Sequence, residues 1–363
     1  MLIDAEPLQA LVRDIFQAEG CSEAESERIA LYLVRANLTG HDSHGVIRVP
    51  RYVQWLRDGE FVANQSAEIV SETESTAVVD GRYGFGQSIG PEAVRIGLEK
   101  AEKSGVAVVA LRHSAHLGRI GEWAEMAAEA GIVSVHFVNV AGSQLVAPFG
   151  GVDRRLSTAP FAVGFPMPGR DPVILDFATS AVAEGKVLVA ARGGKPLPSG
   201  SLIEPDGTLS ADPHTLYGPY GEGEAPDYRK GSGAIRAFGE HKGSGLALMC
   251  ELLAGAFTGS GCAGPGVPRF CNGMLSIYMK PAFFGPPEAY AAEAQRYIAF
   301  FKSSRPATAG GEVLVPGEPE RRMREKRLRE GVPLSDDAWA AICATARSAG
   351  VDPSRYPIRS DAA

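Results

Sequence analysis

Near residue 65 the chain changes its period. Before it, apolar residues recur at intervals of three and four; after it, short apolar runs alternate with helical stretches to about residue 190. In the first part, Leu8, Leu11, Val12, Ile15 and Phe16 mark a helix near 6–19, and SEAESERIALYLVRAN marks a second near 22–37. Ser22 followed by Glu25 has the form of a capping box for the second helix. A third helix is expected near 45–59 (GVIRVPRYVQWLRDG), with Pro50 offsetting its start. Beyond the switch, AEIVSETESTAVVDG and VAVVALRHS read as strands with the helix PEAVRIGLEKAEKSG between them. The helix GEWAEMAAEAG leads into the strand IVSVHFVNV; FAVGFPM and PVILDFAT follow as strands and SAVAEGKVLVAARGG as a helix. This alternation requires an α/β core behind an N-terminal helical arm. Residues 193–236, rich in Gly, Pro, Asp and Ser, read as a long surface excursion, and 264–273 and 303–320 as turn-rich. Helices are expected at 243–259, 319–330 and 335–349. The organisation that follows is an arm over 1–62, a central α/β region over 63–310, and a return over 311–363 that packs on the arm.

Composition narrows the function classes. A formal charge of −7 in 363 residues argues against a polyanion-binding surface. The five cysteines are odd in number and form no C-x-x-C pair, which is neither a zinc framework nor a secreted disulfide scaffold. The N-terminal segment is amphipathic and acidic, without the basic start of a signal peptide. The most apolar later stretch, GLALMCELLAGAFTG, is too short to span a bilayer and contains Glu251. A soluble, cytoplasmic protein without nucleic-acid or membrane partners is expected.

Three motifs invite over-reading. Gly84-Phe-Gly86-Gln-Ser-Ile-Gly90 lies between a strand and a helix, but its GxGxxxG spacing is one residue longer than the dinucleotide fingerprint. No Asp or Glu ends the next strand, although Arg112 stands there, so the glycines read as a plain turn. The basic run Arg321 to Arg329 is interleaved with Glu320, Glu325 and Glu330 and reads as a solvated helix face. His113 and His116 are three apart, yet no carboxylate or thiolate accompanies them at metal-ligand spacing, and no metal site is expected.

The segment His41-Asp42-Ser43-His44-Gly45-Val46-Ile47-Arg48-Val49-Pro50-Arg51-Tyr52 carries chemistry more directly. In a helix, His44, Arg48 and Tyr52 share one face at i, i+4 and i+8. A guanidinium takes a carboxylate by two parallel hydrogen bonds, and an imidazole beside it gives or takes a proton. Spacing alone serves equally a surface helix whose Asp42 or Ser43 merely caps the first turn.

The chain resembles the type-2 malate/lactate dehydrogenases, NAD(P)-dependent oxidoreductases of 2-hydroxy and 2-oxo acids distinct from the Rossmann-fold enzymes. The resemblance rests on DSHGVIRVPRY (42–52), HSAHLGRIGEWAEMAAEAG (113–131), LVAPFGG (145–151), LDFATSAVAEGKV (175–187), EHKGSGLALMCELLAGAFTG (240–259) and VPGEPE (315–320). It implies a homodimer with a non-Rossmann, mixed-sheet α/β fold, a small carboxylate substrate, and NAD or NADP as cofactor, NAD being slightly favoured. It further implies that His44 donates a proton to the carbonyl with Ser43 as relay, that Arg48 clamps the carboxylate, and that Tyr52 and Thr158 line the substrate. His116 matches a position treated as proton acceptor in some members, so two histidines compete for the acid/base role; the nearness of Arg48 in sequence favours His44. Lys186 stands where the cyclic-imine reductases generally carry Asp, which points to the oxo-acid branch and to an ammonium that polarises the carbonyl. The cofactor set implied is His116, Gly118, Ile120, Asp176, Phe177, Ala178, His241, Lys242, Pro316, Gly317 and Glu318, with the 241–245 turn offering backbone N–H groups to a pyrophosphate. Two positions depart from the pattern: Ala159 replaces the Asn of Ser/Gly-Thr-Asn-Pro, and Asn37 stands where Asp is common.

Overall fold

The computed structural model describes residues 1–191, 195–221, 227–267 and 269–359. A two-residue strand β1 (Leu2–Ile3) precedes helices α1 (Ala5–Ala18) and α2 (Glu23–Leu38), and α3 spans Val49–Arg57. Ser22 caps α2 by accepting the Glu25 N–H at 3.3 Å. The expected third helix is corrected in its first part. Residues Asp42–His44 and Val46–Arg48 form separate 3₁₀ turns, and Pro50 sits in the first turn of α3, where its missing N–H costs no intrahelical bond.

The core sheet comprises β2 (Glu68–Glu72), β3 (Thr76–Asp80), β4 (Val106–Ser114) and β5 (Val133–Ala141), linked by α4 (Gly86–Ser104) and α5 (Gly121–Glu129). After a short strand β6 (Val146–Ala147) come β7 (Pro160–Phe165), β8 (Val173–Ala178) and α6 (Glu184–Ala191). The helix expected from 180 starts four residues late, and its end at 192–194 lies outside the described residues. Strands β9 (Leu202–Ile203) and β10 (Leu209–Ser210), helix α7 (His214–Tyr217) and β11 (Ala234–Arg236) follow. Helix α8 (His241–Cys250) continues as a π-helical stretch, Glu251–Phe257. Then come β12 (Cys271–Met279), α9 (Pro287–Lys302), α10 (Glu318–Glu330), β13 (Val332–Pro333) and α11 (Asp336–Ser348).

The main sheet has the order β2-β3-β4-β12-β5-β7-β8; β3 and β4 run parallel and every other pair is antiparallel. Neither β12 nor α9 has the clear period that marks the other elements, and β12 is the central strand. Successive residues of a strand face opposite ways. Thus Val138, Met274 and Tyr278 join Trp123 and Val94 beneath α4 and α5, while Phe137 and Asn139 face α8 and its π-helical extension. Helix α4 lies unusually close to its neighbours. A Cβ at Gly97 would stand 2.1 Å from the Tyr278 ring, one at Gly90 2.6 Å from Trp123, and one at Gly86 2.3 Å from the His116 carbonyl oxygen. None of the three has a positive φ. The glycines of the 84–90 motif therefore serve close approach within and just before α4, not the turn expected there; the left-handed residues are Arg82 and Tyr83.

The presumed surface excursion is corrected too. Outside residues 193–194 and 222–226, which are not described, it supplies three strands of a four-stranded sheet, β10-β9-β11-β6, with its own core of Leu202, Leu216, Tyr217 and Ile235. Its strands are two or three residues long, too short to show a period. At the other end, β13 pairs with β1, and Ile342, Ala346 and Tyr356 share the core of α1 and α2. Among the described residues no helix is long and apolar enough to cross a membrane.

Candidate functional site

The turn after α2 is fixed by side chains from three parts of the chain. Buried Asn37 receives the Val46 N–H at 2.8 Å and donates to Asp42 at 2.7 Å. A Cβ on Gly45 would collide with the Asn37 side chain, so Gly45 is required by space. From α10, Arg327 grips both oxygens of Asp42, at 2.6 and 3.0 Å, and also donates to the Asn37 carbonyl. Arg321 of the same helix donates to the Pro172 carbonyl at 3.0 Å. Two members of the basic run are thus half-buried anchors, a correction to the solvated face read from alternating charge.

Held this way, His44 stacks on His116 with ring centroids 5.6 Å apart and planes 6° from parallel. The Ser43 hydroxyl lies 3.1 Å from His44 Nδ1. Arg48 donates from Nε to the Ser43 carbonyl at 2.6 Å, and its guanidinium pairs with no carboxylate among the described residues. Behind His116, the Tyr52 hydroxyl lies 2.5 Å from Nδ1, and Gln87 Nε2 reaches that hydroxyl at 3.4 Å. Tyr52 is fully buried, so it meets a ligand only through His116 and not as the direct substrate contact expected. The i, i+4, i+8 alignment is also not how the group assembles; two 3₁₀ turns and the separate 115–120 loop bring it together. His113 diverges from His116 and meets Asp80 at 3.1 Å. No group of three or more His, Cys, Asp and Glu among the described residues is placed to hold a metal ion.

Electrostatics keeps both stacked rings neutral. Burial, then the Arg48 charge, pushes His116 down to about 3; burial, His116 and Arg48 push His44 the same way. Burial holds the Tyr52 phenol up at about 12, with Arg48 and Gln87 opposing. Nearness of Arg48 therefore does not separate the two histidines, because its charge acts on both.

Gly185 places α6 against this turn: a Cβ there would lie 2.7 Å from Ser43 Cβ. Lys186 is therefore exposed beside the site, and Glu184 accepts from the Tyr217 hydroxyl at 2.7 Å. Thr158 is half-buried, and its carbonyl accepts the Thr179 N–H at 3.1 Å. Ala159 is fully buried, so the departure there alters packing and not an exposed lining.

The segments implied for the cofactor gather along β8. At one end the Ile174 N–H donates to the Pro316 carbonyl at 3.2 Å, with Gly317 beside it at φ 94°. Glu318 is engaged by Lys302 at 2.5 Å. Asp176 accepts the Gly121 N–H at 2.8 Å and lies 3.8 Å from Arg119, in the same turn as Gly118 and Ile120. Phe177 packs edge-on against Phe238, at 5.3 Å, and Ala178 ends the strand. That contact brings in His241 and Lys242, both exposed at the start of α8. The N–H groups of Lys242, Gly243 and Ser244 are already taken by carbonyls at 238–240. Those three backbone donors, expected to be free, are engaged, while the Lys242 ammonium and the His241 ring stay exposed. A Cβ at Gly245 would meet nothing within 4 Å, which leaves the approach open. A cavity of about 820 Å³ lies between β8, α9 and α10 and is lined by Lys302, Glu318 and Arg321. His44, Arg48 and His116 do not line it.

Sequence reasoning missed Gln87 and Arg327. Gln87 lay within the glycine motif read as a turn, and only its spacing of four and seven residues before Pro91 and Val94 on a buried helix face signals an inward side chain. Arg327 had no signal beyond its charge.

Comparison with known proteins gives this arrangement a family. The malate/L-lactate dehydrogenase family pattern matches residues 3–343. Hydroxycarboxylate dehydrogenase B of Escherichia coli O157:H7 is 40% identical over 353 residues, 96% of this chain and 94% of that one. A Delta(1)-pyrroline-2-carboxylate/Delta(1)-piperideine-2-carboxylate reductase of Pseudomonas putida is 34% identical, covering 91% and 92%. The solved structure of a putative malate/lactate dehydrogenase from E. coli superposes with a TM-score of 0.90 at 38% identity, covering 98% and 97%. The family pattern spans nearly the whole chain, so the chain belongs to the malate/L-lactate dehydrogenase family and is a hydroxy-acid oxidoreductase.

Proposed function

We propose that this chain transfers a hydride between a nicotinamide dinucleotide and a 2-oxo or 2-hydroxy acid, acting as a homodimer. The observation that carries the reading is Arg48: a half-buried guanidinium without an acid partner among the described residues, set against two neutral, stacked imidazoles. An unpaired cation in such a place suits a substrate carboxylate, and its two terminal nitrogens remain for a fork. His241, Lys242 and the open Gly245, together with 176–178, fit an anionic dinucleotide, and Gly118, Ile120 and Pro316–Glu318 complete that set. When bound, the nicotinamide supplies the hydride. Arg48 orients the acid, Ser43 holds His44, and Lys186 brings positive charge beside the carbonyl. We assign the proton to His116, because buried Tyr52 and Gln87 support its ring, whereas His44 has only the Ser43 hydroxyl. His44 forms the facing wall.

The test is turnover of reduced nicotinamide against a panel of 2-oxo acids, run with NAD and NADP separately, NAD being the preferred member. Efficient reduction of at least one oxo acid is expected. A strong preference for cyclic imine carboxylates over every oxo acid would overturn the substrate class, despite Lys186. The dimer reading is supported by Leu248, Met249, Leu252 and Phe257, all exposed along α8 and its extension. A single species near the chain mass of 38.3 kDa in sedimentation would overturn it.

A further inference from the structure

We propose that Tyr52 and Gln87 fix the tautomer of His116, holding Nδ1 as the acceptor and Nε2 as the protonated nitrogen turned to the cleft. This rests on the reading of His116 as the proton-handling group. A phenol has one proton to donate and oxygen lone pairs to accept with. The short contact, 2.5 Å, runs from the Tyr52 hydroxyl to His116 Nδ1, and the long one, 3.4 Å, brings the Gln87 amide N–H to the phenol oxygen. Donors therefore point one way along the row, from Gln87 through Tyr52 to His116. Tyr52 and Gln87 are both buried to within 1% exposure, so no water competes for these groups. Nε2 has no protein partner among the described residues and is not among their buried, unpartnered atoms. It is left for the ligand.

The arrangement accounts for how a neutral ring supplies a proton. As a carbonyl oxygen gains negative charge, the Nε2–H bond breaks and an O–H bond forms on the substrate. The Tyr52 O–H bond breaks in turn and an N–H bond forms at Nδ1. His116 thus stays neutral, and the charge passes to the Tyr52 oxygen, which faces the Gln87 N–H and the field of Arg48. Once the product has left, a solvent proton binds Nε2, the Nδ1–H bond breaks and the Tyr52 O–H bond forms again, which restores the starting tautomer; oxidation runs the same transfers backwards. Tyr52 and Gln87 act through His116 and are positioning residues.

The decisive measurement is ¹⁵N NMR of the full chain labelled at histidine, in which protonated and bare ring nitrogens resonate apart. The His116 pair is identified by its loss in His116→Asn. A protonated Nε2 and a bare Nδ1 are expected, and the opposite pattern overturns the proposal. Tyr52→Phe, which keeps the ring among Phe61, Phe85 and Trp55, is expected to mix the tautomers and lower kcat about 100-fold, with KM within about threefold. Gln87→Leu should lower kcat about three- to tenfold by the same route. An unchanged tautomer and kcat in Tyr52→Phe would overturn it. Absence of turnover by the parent on any oxo acid would instead defeat the functional reading, and the NMR result would stand apart from it.

Discussion

Replacing Arg48 separates geometry from charge. Its Nε is committed to the Ser43 carbonyl at 2.6 Å, so a substrate carboxylate meets the two terminal nitrogens. Lysine retains the charge but loses the fork and the Ser43 anchor. A charge-assisted hydrogen bond contributes about 1.5–3 kcal/mol, and the lost anchor adds misorientation. Arg48→Lys should therefore cost about 2–4 kcal/mol in kcat/KM, roughly thirty- to a thousandfold. Arg48→Met also removes the cation that helps hold His116 near a pKa of about 3. Without that charge the protonated ring is less disfavoured, so the pKa rises and the acid limb of the pH profile moves toward neutrality; in Arg48→Lys it stays put. The assay is the reduced-nicotinamide absorbance change with a 2-oxo acid and with a matched ketone lacking the carboxylate. The ketone should be reduced about equally by parent and Arg48→Lys. Equal losses on both substrates, or a loss under about threefold on the acid, would refute the carboxylate clamp.

Arg327→Met should lower stability by about 1–2 kcal/mol, discounted because Asp42 is 48% exposed, and reduce kcat/KM about tenfold by loosening the turn before His44. Chemical denaturation and steady-state kinetics check both, and an effect on stability alone would separate the clamp from catalysis. Gly86→Ala drives a Cβ to 2.3 Å from the His116 carbonyl oxygen and should cost about 1–3 kcal/mol, with kcat falling further than a remote substitution of equal cost. His136, fully buried between Ser134 and Ser276, is pushed by burial down to about 3. The unfolded chain binds this proton from about pH 6.5 downward while the folded chain refuses it to about pH 3, so stability is full above 6.5 and falls as pH drops through that window. At pH 5 the loss is about 2 kcal/mol, and denaturation of His136→Gln should show a shallower fall from a lower start.

The long amphipathic helices and the apolar strands of the first 190 residues were legible, because each has a period that a buried face enforces. What escaped was structure without period. Strand β12, CNGMLSIYM, is buried on both faces and has the turn-like pair Asn272-Gly273 near its start, so neither alternation nor punctuation marks it. The small sheet is built from strands too short to count. At the site, His44, Arg48 and Ser43 were visible as a motif, whereas the Tyr52–His116–Gln87 row joins residues 64 and 35 positions apart. Arg327 acts 285 positions from Asp42. Such pairings are set by tertiary packing, and a local pattern carries no trace of them.

The place of β12 also dictates the order of events at the ribosome. Strands β4 and β5, complete by Ala141, hydrogen-bond to β12 and not to each other. The strand that joins them emerges roughly 130 residues later, on the order of ten seconds at ordinary rates of synthesis. Until then the nascent chain carries two unpaired, Val-rich edges, which are templates for wrong partners. The small β10-β9-β11-β6 lobe, encoded within that interval, has time to fold first. A chain cut between Ala141 and Cys271 keeps both stacked histidines but lacks the strand that joins the two halves of the sheet, and such fragments belong among the clients of chaperones.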